Sequence, residues 1–425
     1  MMKIVIKTLG CKANRYESDR IAEKFEGRFV VADAQIGKLD NADVIIVNTC
    51  TVTENADKKS RQAILPLKKL YPKARVVIFG CGANTNFENY KKLKNVDFVV
   101  RKQKELDALL IKLGESSNQN KNNPECINNE FKTSRTRALV KIQDGCNNFC
   151  SYCIVPFARG REQSRPSLEI INEINKRIQN GFKEIVITGI NIGQWKENSK
   201  ELADLIEMIL SKTKVERLRL SSIEPQDFSS KFLSLFQNSR FCPHLDISLQ
   251  SGSDEILKKM RRHYDTALFT EMVENLRKAV PYFGITTDVI VGFPGETDEL
   301  FNETLAYVKK IGFSKIHIFP YSKRKGTLAA DMPDQIPSAI KKKRCAVLSK
   351  LEKKMRLEFY KNNIGRTEEV LFEQQNKKGI ICGFTSNYIK TRIHLKDAEK
   401  SSKTIKQVTL KKLLPSGEVE AVLET

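Results

Sequence analysis

Along the first hundred residues, short apolar runs alternate with amphipathic stretches. The runs are "MKIVIKTLG", "ADVIIVNTCTV" and "ARVVIFGCG", and apolar residues recur at helical spacing over 15–26 and 54–71, where Pro66 interrupts the second stretch. Strands alternating with helices predict a parallel α/β sheet. Residues 114–134, "GESSNQNKNNPECINNEFKTS", are polar, Asn-rich and without periodicity, which is the composition of a linker. A first domain is therefore expected at 1–113. From residue 136 the alternation restarts with six candidate strands, "RALVKIQ", "EIVITGI", "RLRLSS", "HLDISLQ", "ITTDVIVGF" and "KIHIFPY", separated by helical patterns such as 167–181, 254–263 and 296–311. Six strand–helix units predict a partial (β/α)6 barrel, smaller than the eight-fold one, within a core at 135–363. Its last helix is expected at 337–363, with Ile340, Val347, Leu348, Leu351 and Met355 on one face and "KKKR" at 341–344 on the other. Residues 364–425 switch to short alternating segments, "EEVLFEQ", "GIICGF", "YIKTRIHL", "KQVTLKKLL" and "VEAVLE", which predict a small C-terminal β-barrel.

Composition sharpens this picture in two places. Lys and Arg number 73 against 51 Asp and Glu, a formal charge of +22, which favours polyanionic partners, nucleic acid before membrane. The N-terminal apolar run is shorter than the core of a signal peptide, and no window approaches ~18 consecutive apolar residues, so no membrane association and a cytoplasmic location are expected. In that reducing compartment the ten cysteines do not read as a disulfide framework, and clustered ones point to metal binding or catalysis.

Two sets of cysteines stand out. Cys11, Cys50 and Cys81 each sit just past the carboxyl end of one of the first apolar runs, and the carboxyl ends of strands line the ligand crevice of an open α/β sheet. They either converge there or are three separate packing cysteines, and the repeated placement favours convergence. The second set, Cys146, Cys150 and Cys153 in "DGCNNFCSYCIVPFARGR", follows the first barrel strand as CxxxCxxC. A zinc site would show paired CxxC elements and four ligands. Three thiolates suit an iron–sulfur cluster with one iron left open, and an open position is where a ligand binds directly.

The CxxxCxxC loop, with Tyr152 before its last cysteine, resembles the radical S-adenosylmethionine (SAM) enzymes. Taken with "TLGCKANRYES", "NTCTVT", "FGCGA", "IVPFARGR", "LQSGS", "VGFPGET" and "FPYSKRKGT", essentially the whole chain resembles the radical SAM methylthiotransferases, whose C-terminal barrel is an RNA-binding TRAM domain. The resemblance implies a 4Fe–4S cluster on Cys146, Cys150 and Cys153, whose open iron chelates SAM and whose electron yields a 5′-deoxyadenosyl radical. It further implies a second 4Fe–4S cluster on Cys11, Cys50 and Cys81, which carries the sulfur that is methylated and delivered. Relatives acting on isopentenyl-adenosine open with a "GCQMN"-like motif and those acting on a ribosomal protein with a "GCxKNxVDSE"-like one. "TLGCKANRYES" is closer to the MtaB type, which converts N6-threonylcarbamoyladenosine at position 37 of tRNA into its 2-methylthio derivative. A tRNA substrate, a reductant protein and a sulfur donor are the partners this implies, with a monomer favoured.

The same resemblance gives candidate SAM contacts: Gly189 in "TGIN" near the amino group, Arg262 on the carboxylate, and Gln250 and Asp288 on ribose hydroxyls. Each is equally a structural turn or hydrogen-bonding residue. Ser222 and Glu224 rank below them, and the "GFPGE" turn either flanks adenine or is a plain turn. Arg159, Arg161 and "SKRKG" at 322–326 are read as meeting tRNA phosphates or the substrate carboxylate, or as solvated loop charges. Asn84 and Gln163 stand where relatives carry Gln and Arg. Cys126, Cys242, Cys345 and Cys382 lack partners by spacing, and Trp195 reads as packing. A different class also accounts for the charge and cysteines, a non-catalytic metal-stabilised RNA-binding protein. It requires both cysteine triads to be closed structural sites that lack a fourth ligand.

Overall fold

A computed structural model of the chain describes residues 2–25, 28–34, 39–118, 135–373, 379–394 and 402–424. Cys126 lies outside the described residues.

Strands β1 (Met2–Thr8), β2 (Phe29–Asp33), β3 (Val44–Thr49), β4 (Arg75–Gly80) and β5 (Phe98–Val99) form one parallel sheet in the order β2-β1-β3-β4-β5. Successive side chains of a strand point to opposite faces, and here both faces are covered. Ile4, Ile46 and Val77 enter one apolar cluster and Val5, Ile45 and Val76 another. That is why the sequence shows continuous apolar runs rather than alternation. The helix expected over 54–71 is two, Glu54–Gln62 and Ile64–Leu70, and Pro66 falls in the first turn of the second, where its missing N–H costs no intrahelical bond. Residues 114–118, expected to open the linker, belong instead to helix Gln103–Asn118. Leu106, Leu110 and Leu113 extend its buried stripe, and a Cβ at Gly114 would lie 2.6 Å from the Phe29 ring. Local packing there overrides the polar composition that suggested a linker.

The core follows as β6 (Arg137–Lys141), then a two-stranded ribbon of β7 (Gln143–Asp144) and β8 (Gln163–Ser164), then β9 (Glu184–Thr188), β10 (Arg217–Leu220), β11 (Ser222–Ile223), β12 (His244–Ile247), β13 (Gly284–Val291) and β14 (Lys315–Pro320). Sheets β6-β9-β10 and β11-β12-β13-β14 are wholly parallel and are bridged where Leu218 of β10 pairs with Phe241 ahead of β12, Cys242 N–H donating to the Leu218 carbonyl at 2.9 Å. All six expected strands are present, with "RLRLSS" divided between β10 and β11. Edge strands β6 and β14 form no ladder with each other, so the barrel is partial, and helix Lys12–Lys24 of the N-terminal region packs along β6. Trp195 is fully buried and donates to the Arg165 carbonyl at 2.8 Å.

The long helix spans Ser338–Lys361, but its buried stripe is Arg344, Leu348 and Met355, while Ile340 and Val347 are exposed. Arg344 was expected on the solvated face. It turns inward because buried Glu296 of the "GFPGE" turn accepts from it at 2.7 Å and from Gly292 N–H at 2.6 Å.

Strands β15 (Thr367–Phe372), β16 (Ile380–Thr385), β17 (Lys390–His394), β18 (Ile405–Leu413) and β19 (Val419–Leu423) close a barrel in the order β15-β16-β17-β19-β18. The turn between β16 and β17 seats on the amino-terminal end of the core barrel. Arg217 and Arg219 donate to the carbonyls of Thr385 and Ser386 at 3.1 and 3.0 Å, and Tyr388 stacks on His244 with ring centroids 4.6 Å apart. Among the described residues, no helix is long and apolar enough to cross a membrane.

Candidate functional site

Strands β1, β3 and β4 are neighbours in the sheet, so Cys11, Cys50 and Cys81 leave adjacent carboxyl ends. Cys11 precedes helix Lys12–Lys24, Cys50 follows β3 directly, and Cys81 opens helix Cys81–Thr85. They converge on the Asn14 side chain. Its Oδ1 lies 3.5 Å from Cys11 Sγ and 3.8 Å from Cys81 Sγ, while its Nδ2 donates to Asn48 Oδ1 at 3.1 Å and the Thr49 carbonyl at 2.8 Å. Gly10, at φ +102°, presses so closely on Cys50 that a Cβ would fall 2.8 Å from the Cys50 Cβ. Burial pushes the Cys81 thiol up to about 12 and raises Cys50 as well. Metal binding there must therefore displace protons from buried thiols.

The second triad lies on the loop between β7 and helix Val155–Arg159. Backbone N–H of Asn148 reaches Cys146 Sγ at 3.5 Å, and Arg262 Nη1 donates to Cys150 Sγ at 3.0 Å. Burial raises all three thiols, Cys153 to about 12. Glu224, ranked low from sequence, holds Arg262 Nη2 at 2.7 Å and accepts from Asn148 at 2.8 Å. Tyr152 packs on the apolar group containing Ile256, Met260 and Phe293. Asn191, two residues past Gly189, is buried, and its side-chain amide faces the Cys146 thiol, which it lowers against the effect of burial. Sequence reasoning missed it.

Of the other candidate contacts, Gly189 meets protein rather than open space, since a Cβ would sit 2.8 Å from the Gln143 carbonyl. Gln250 and Asp288 are brought together: Gln250 N–H donates to the Asp288 carbonyl at 2.9 Å from a left-handed backbone, φ 66°. The Asp288 side chain faces the barrel lumen, where its carboxylate, that of Asp246 and the His317 ring lie within 4.8 Å of one another. Burial, then Asp246, pushes Asp288 up to about 7. The lumen cavity, about 590 Å³, is lined by Lys12, Asp246, His317, Arg219 and His244 among others.

Arg159, on the helix that follows the CxxxCxxC loop, reaches across to the first triad. Its Nε donates to Cys81 Sγ at 3.2 Å, Nη2 to Asn14 Oδ1 at 2.7 Å, and Nη1 pairs with Glu17 at 2.7 Å and Asp144 at 3.0 Å; the side chain is 7% exposed. Asp144 is held below the ordinary carboxylate range by Arg159 and Lys141, against the effect of its burial. Asn84 donates to the Ala158 carbonyl at 2.7 Å, while Ser322 accepts from Glu54 N–H at 2.9 Å and Arg324 donates to Thr51 at 2.6 Å. Arg159 and Arg324, read from sequence as RNA-facing or solvated, are instead junction residues. Their signal was available only in part: "CKAN" places Asn14 one helical turn after Cys11, but nothing local marks the partner of Arg159.

Three sulfurs at each end of this junction, with N–H donors on Cys81, Cys146 and Cys150, fit clusters bound by three thiolates and stabilised by hydrogen bonds to sulfur. Cys242, Cys345 and Cys382 lie away from both triads, near Arg219, Glu296 and Glu418 respectively.

Comparison with known proteins agrees with this layout. The Radical SAM superfamily model matches residues 140–308, and that of "Uncharacterized protein family UPF0004" matches 3–101, so each matched span contains one triad. "Threonylcarbamoyladenosine tRNA methylthiotransferase MtaB" of Thermotoga maritima is 39% identical over 92% of this chain and 91% of its own. "tRNA-2-methylthio-N(6)-dimethylallyladenosine synthase" of Endomicrobium trichonymphae is 36% identical over 91% and 92%. The solved radical S-adenosylmethionine methyltransferase TsrM of Kitasatospora setae shares the fold, with a TM-score of 0.59 over 78% of this chain and 77% of its own at 15% identity. With a triad in each matched region and relatives of this identity along its length, the chain belongs to the radical SAM methylthiotransferases, of the MtaB type.

Proposed function

We propose that this chain adds a methylthio group to C2 of N6-threonylcarbamoyladenosine at position 37 of tRNA. As a radical SAM methylthiotransferase it uses SAM and a 4Fe–4S cluster. The observation that carries the reading is the run of relatives named threonylcarbamoyladenosine tRNA methylthiotransferase at 36–39% identity, and the Arg159 junction, which joins the helix after the CxxxCxxC loop to Cys81 of the other triad, supports its two-triad chemistry. Cys146, Cys150 and Cys153 would hold one cluster and Cys11, Cys50 and Cys81 a second. When bound, these groups supply the electron, the hydrogen-abstracting radical and the transferable sulfur that an unactivated C–H bond requires.

The residues of the chain bind and orient. Arg262 pairs with the SAM carboxylate, a bidentate task suited to guanidinium, and Glu224 keeps it in place. Gln250 and Asp288 bind the ribose hydroxyls; Asp288, titrating near neutrality, donates as well as accepts. Tyr152 walls the cofactor site, and Gly189 and the buried amide of Asn191 serve the SAM amino group. In this reading residues 1–113 carry the delivering site, 135–363 the radical site, and 364–425 an RNA-binding TRAM barrel. A reductant protein and a sulfur donor complete the system, and the enzyme works in the cytoplasm as a monomer.

A second reading, action on dimethylallyl-modified adenosine, is favoured by the 36% identity to a synthase of that name. Nucleoside mass spectrometry separates the two. Reconstituted protein is incubated anaerobically with SAM, sulfide, reductant and tRNA carrying one modification or the other. The 2-methylthio product is expected on the threonylcarbamoyl tRNA, and product confined to the dimethylallyl tRNA would transfer the assignment to the second reading.

A further inference from the structure

We propose that Lys12 selects the substrate by pairing its ammonium with the carboxylate of the threonylcarbamoyl group; the inference rests on the function proposed above. Lys12 directly follows Cys11 and lines the lumen cavity together with Asp246 and His317. Lining that cavity, its charge acts on Asp288, His244 and His317.

Of the other cations lining the cavity, Arg137 pairs with Glu184 and Glu373 and Arg219 with Glu184, while Lys315, on β14 away from the first triad in sequence, shares with Lys12 the lack of an ion pair among the described residues. Cations nearby outside the lining, and Arg135 within it, are also used. Arg15 pairs with Asp33, Arg135 with Asp19, Lys141 with Glu17, Arg159 with Asp144, and Arg165 and Arg177 with Glu173. Lys12 is exposed and has no hydrogen bond or ion pair among the described residues. A cation that faces a cavity and lacks a protein partner suits an anionic ligand group.

Substrate chemistry puts an anion at that place. In an N6-carbamoyl adenine the ureido N–H lies opposite ring N1 and closes a hydrogen-bonded ring with it, which folds the amino-acid part toward the C2 edge. The carboxylate therefore sits beside the carbon that receives sulfur. A dimethylallyl group has no charge to offer. Asp246 Oδ1, buried without a partner, is an acceptor for the threonyl hydroxyl or a ureido N–H.

The test uses the reconstituted full chain and its Lys12→Gln and Lys12→Arg variants, each checked for iron and sulfide content. Binding of anticodon stem-loops with and without the threonylcarbamoyl group is measured beside KM and kcat. A charge-assisted hydrogen bond of this kind is worth about 10–100-fold. Lys12→Gln should weaken binding of the modified stem-loop, and raise its KM, by about that factor; it should leave binding of the unmodified stem-loop as in wild type, and Lys12→Arg should recover most of the loss. Wild-type preference for the modified stem-loop retained in Lys12→Gln overturns the role of Lys12 while the substrate reading stands. Equal impairment in both variants overturns it in favour of a structural role at Cys11. A wild-type enzyme with no preference between the stem-loops overturns the substrate reading itself.

Discussion

Asp227 shows how single side chains set the chemistry around the CxxxCxxC loop. Burial, then the charge of Glu224, pushes its carboxyl up from 3.8 to about 6, and its Oδ2 has no partner. A carboxyl raised on folding binds its proton more tightly in the native state. Its stabilising contribution is full below about pH 4 and is lost as pH rises toward 6. Urea unfolding of wild type and Asp227→Asn across pH 4–7 should therefore show a stability difference that changes over pH 4–6 and is flat above it; a pH-independent difference would refute the assignment. The cysteines were legible because thiolates at strand ends are rare and chemically specific. Asn14, Asn191 and Glu224 were legible poorly or not at all, since a buried amide or carboxylate acquires its role from strands distant in sequence.

At the scale of elements, period and turn chemistry located all six core strands and the five strands of the last barrel. What they could not reveal was orientation about the helix axis where a buried ion pair decides it. Arg344 reads as one of four basic residues and is in fact the partner of Glu296. The seat of the last barrel on the core was equally invisible, because arginines donating to backbone carbonyls and one ring stack between residues far apart in sequence make it. Gly284 on β13 lies so close to the turn between β16 and β17 that a Cβ would fall 2.2 Å from the Asn387 carbonyl oxygen. Gly284→Ala should separate the two barrels locally and cost about 1–3 kcal/mol, as overpacking does. Chemical denaturation would register it, together with faster proteolysis at the β16–β17 turn; wild-type stability and resistance would show that the seat adapts.

For the whole molecule, the junction between the N-terminal sheet and the core decides whether two sulfur triads act as one site. Arg159 holds it through Cys81, Glu17 and Asp144 at once. Arg159→Met strands two carboxylates beside Lys141 alone and should cost about 3–5 kcal/mol, the usual result of removing one member of a buried ion network. Calorimetric or denaturant unfolding would measure this, and a loss under about 1 kcal/mol would mean that the junction is held elsewhere.

The most direct test of the two-triad account is to quantify 5′-deoxyadenosine and the 2-methylthio nucleoside in one anaerobic reaction, for wild type, Cys150→Ala and Cys50→Ala. The account predicts both products from wild type, neither from Cys150→Ala, and deoxyadenosine without methylthio nucleoside from Cys50→Ala. Methylthio nucleoside formed by Cys50→Ala would contradict it, because the sulfur would then be delivered from somewhere other than the first triad.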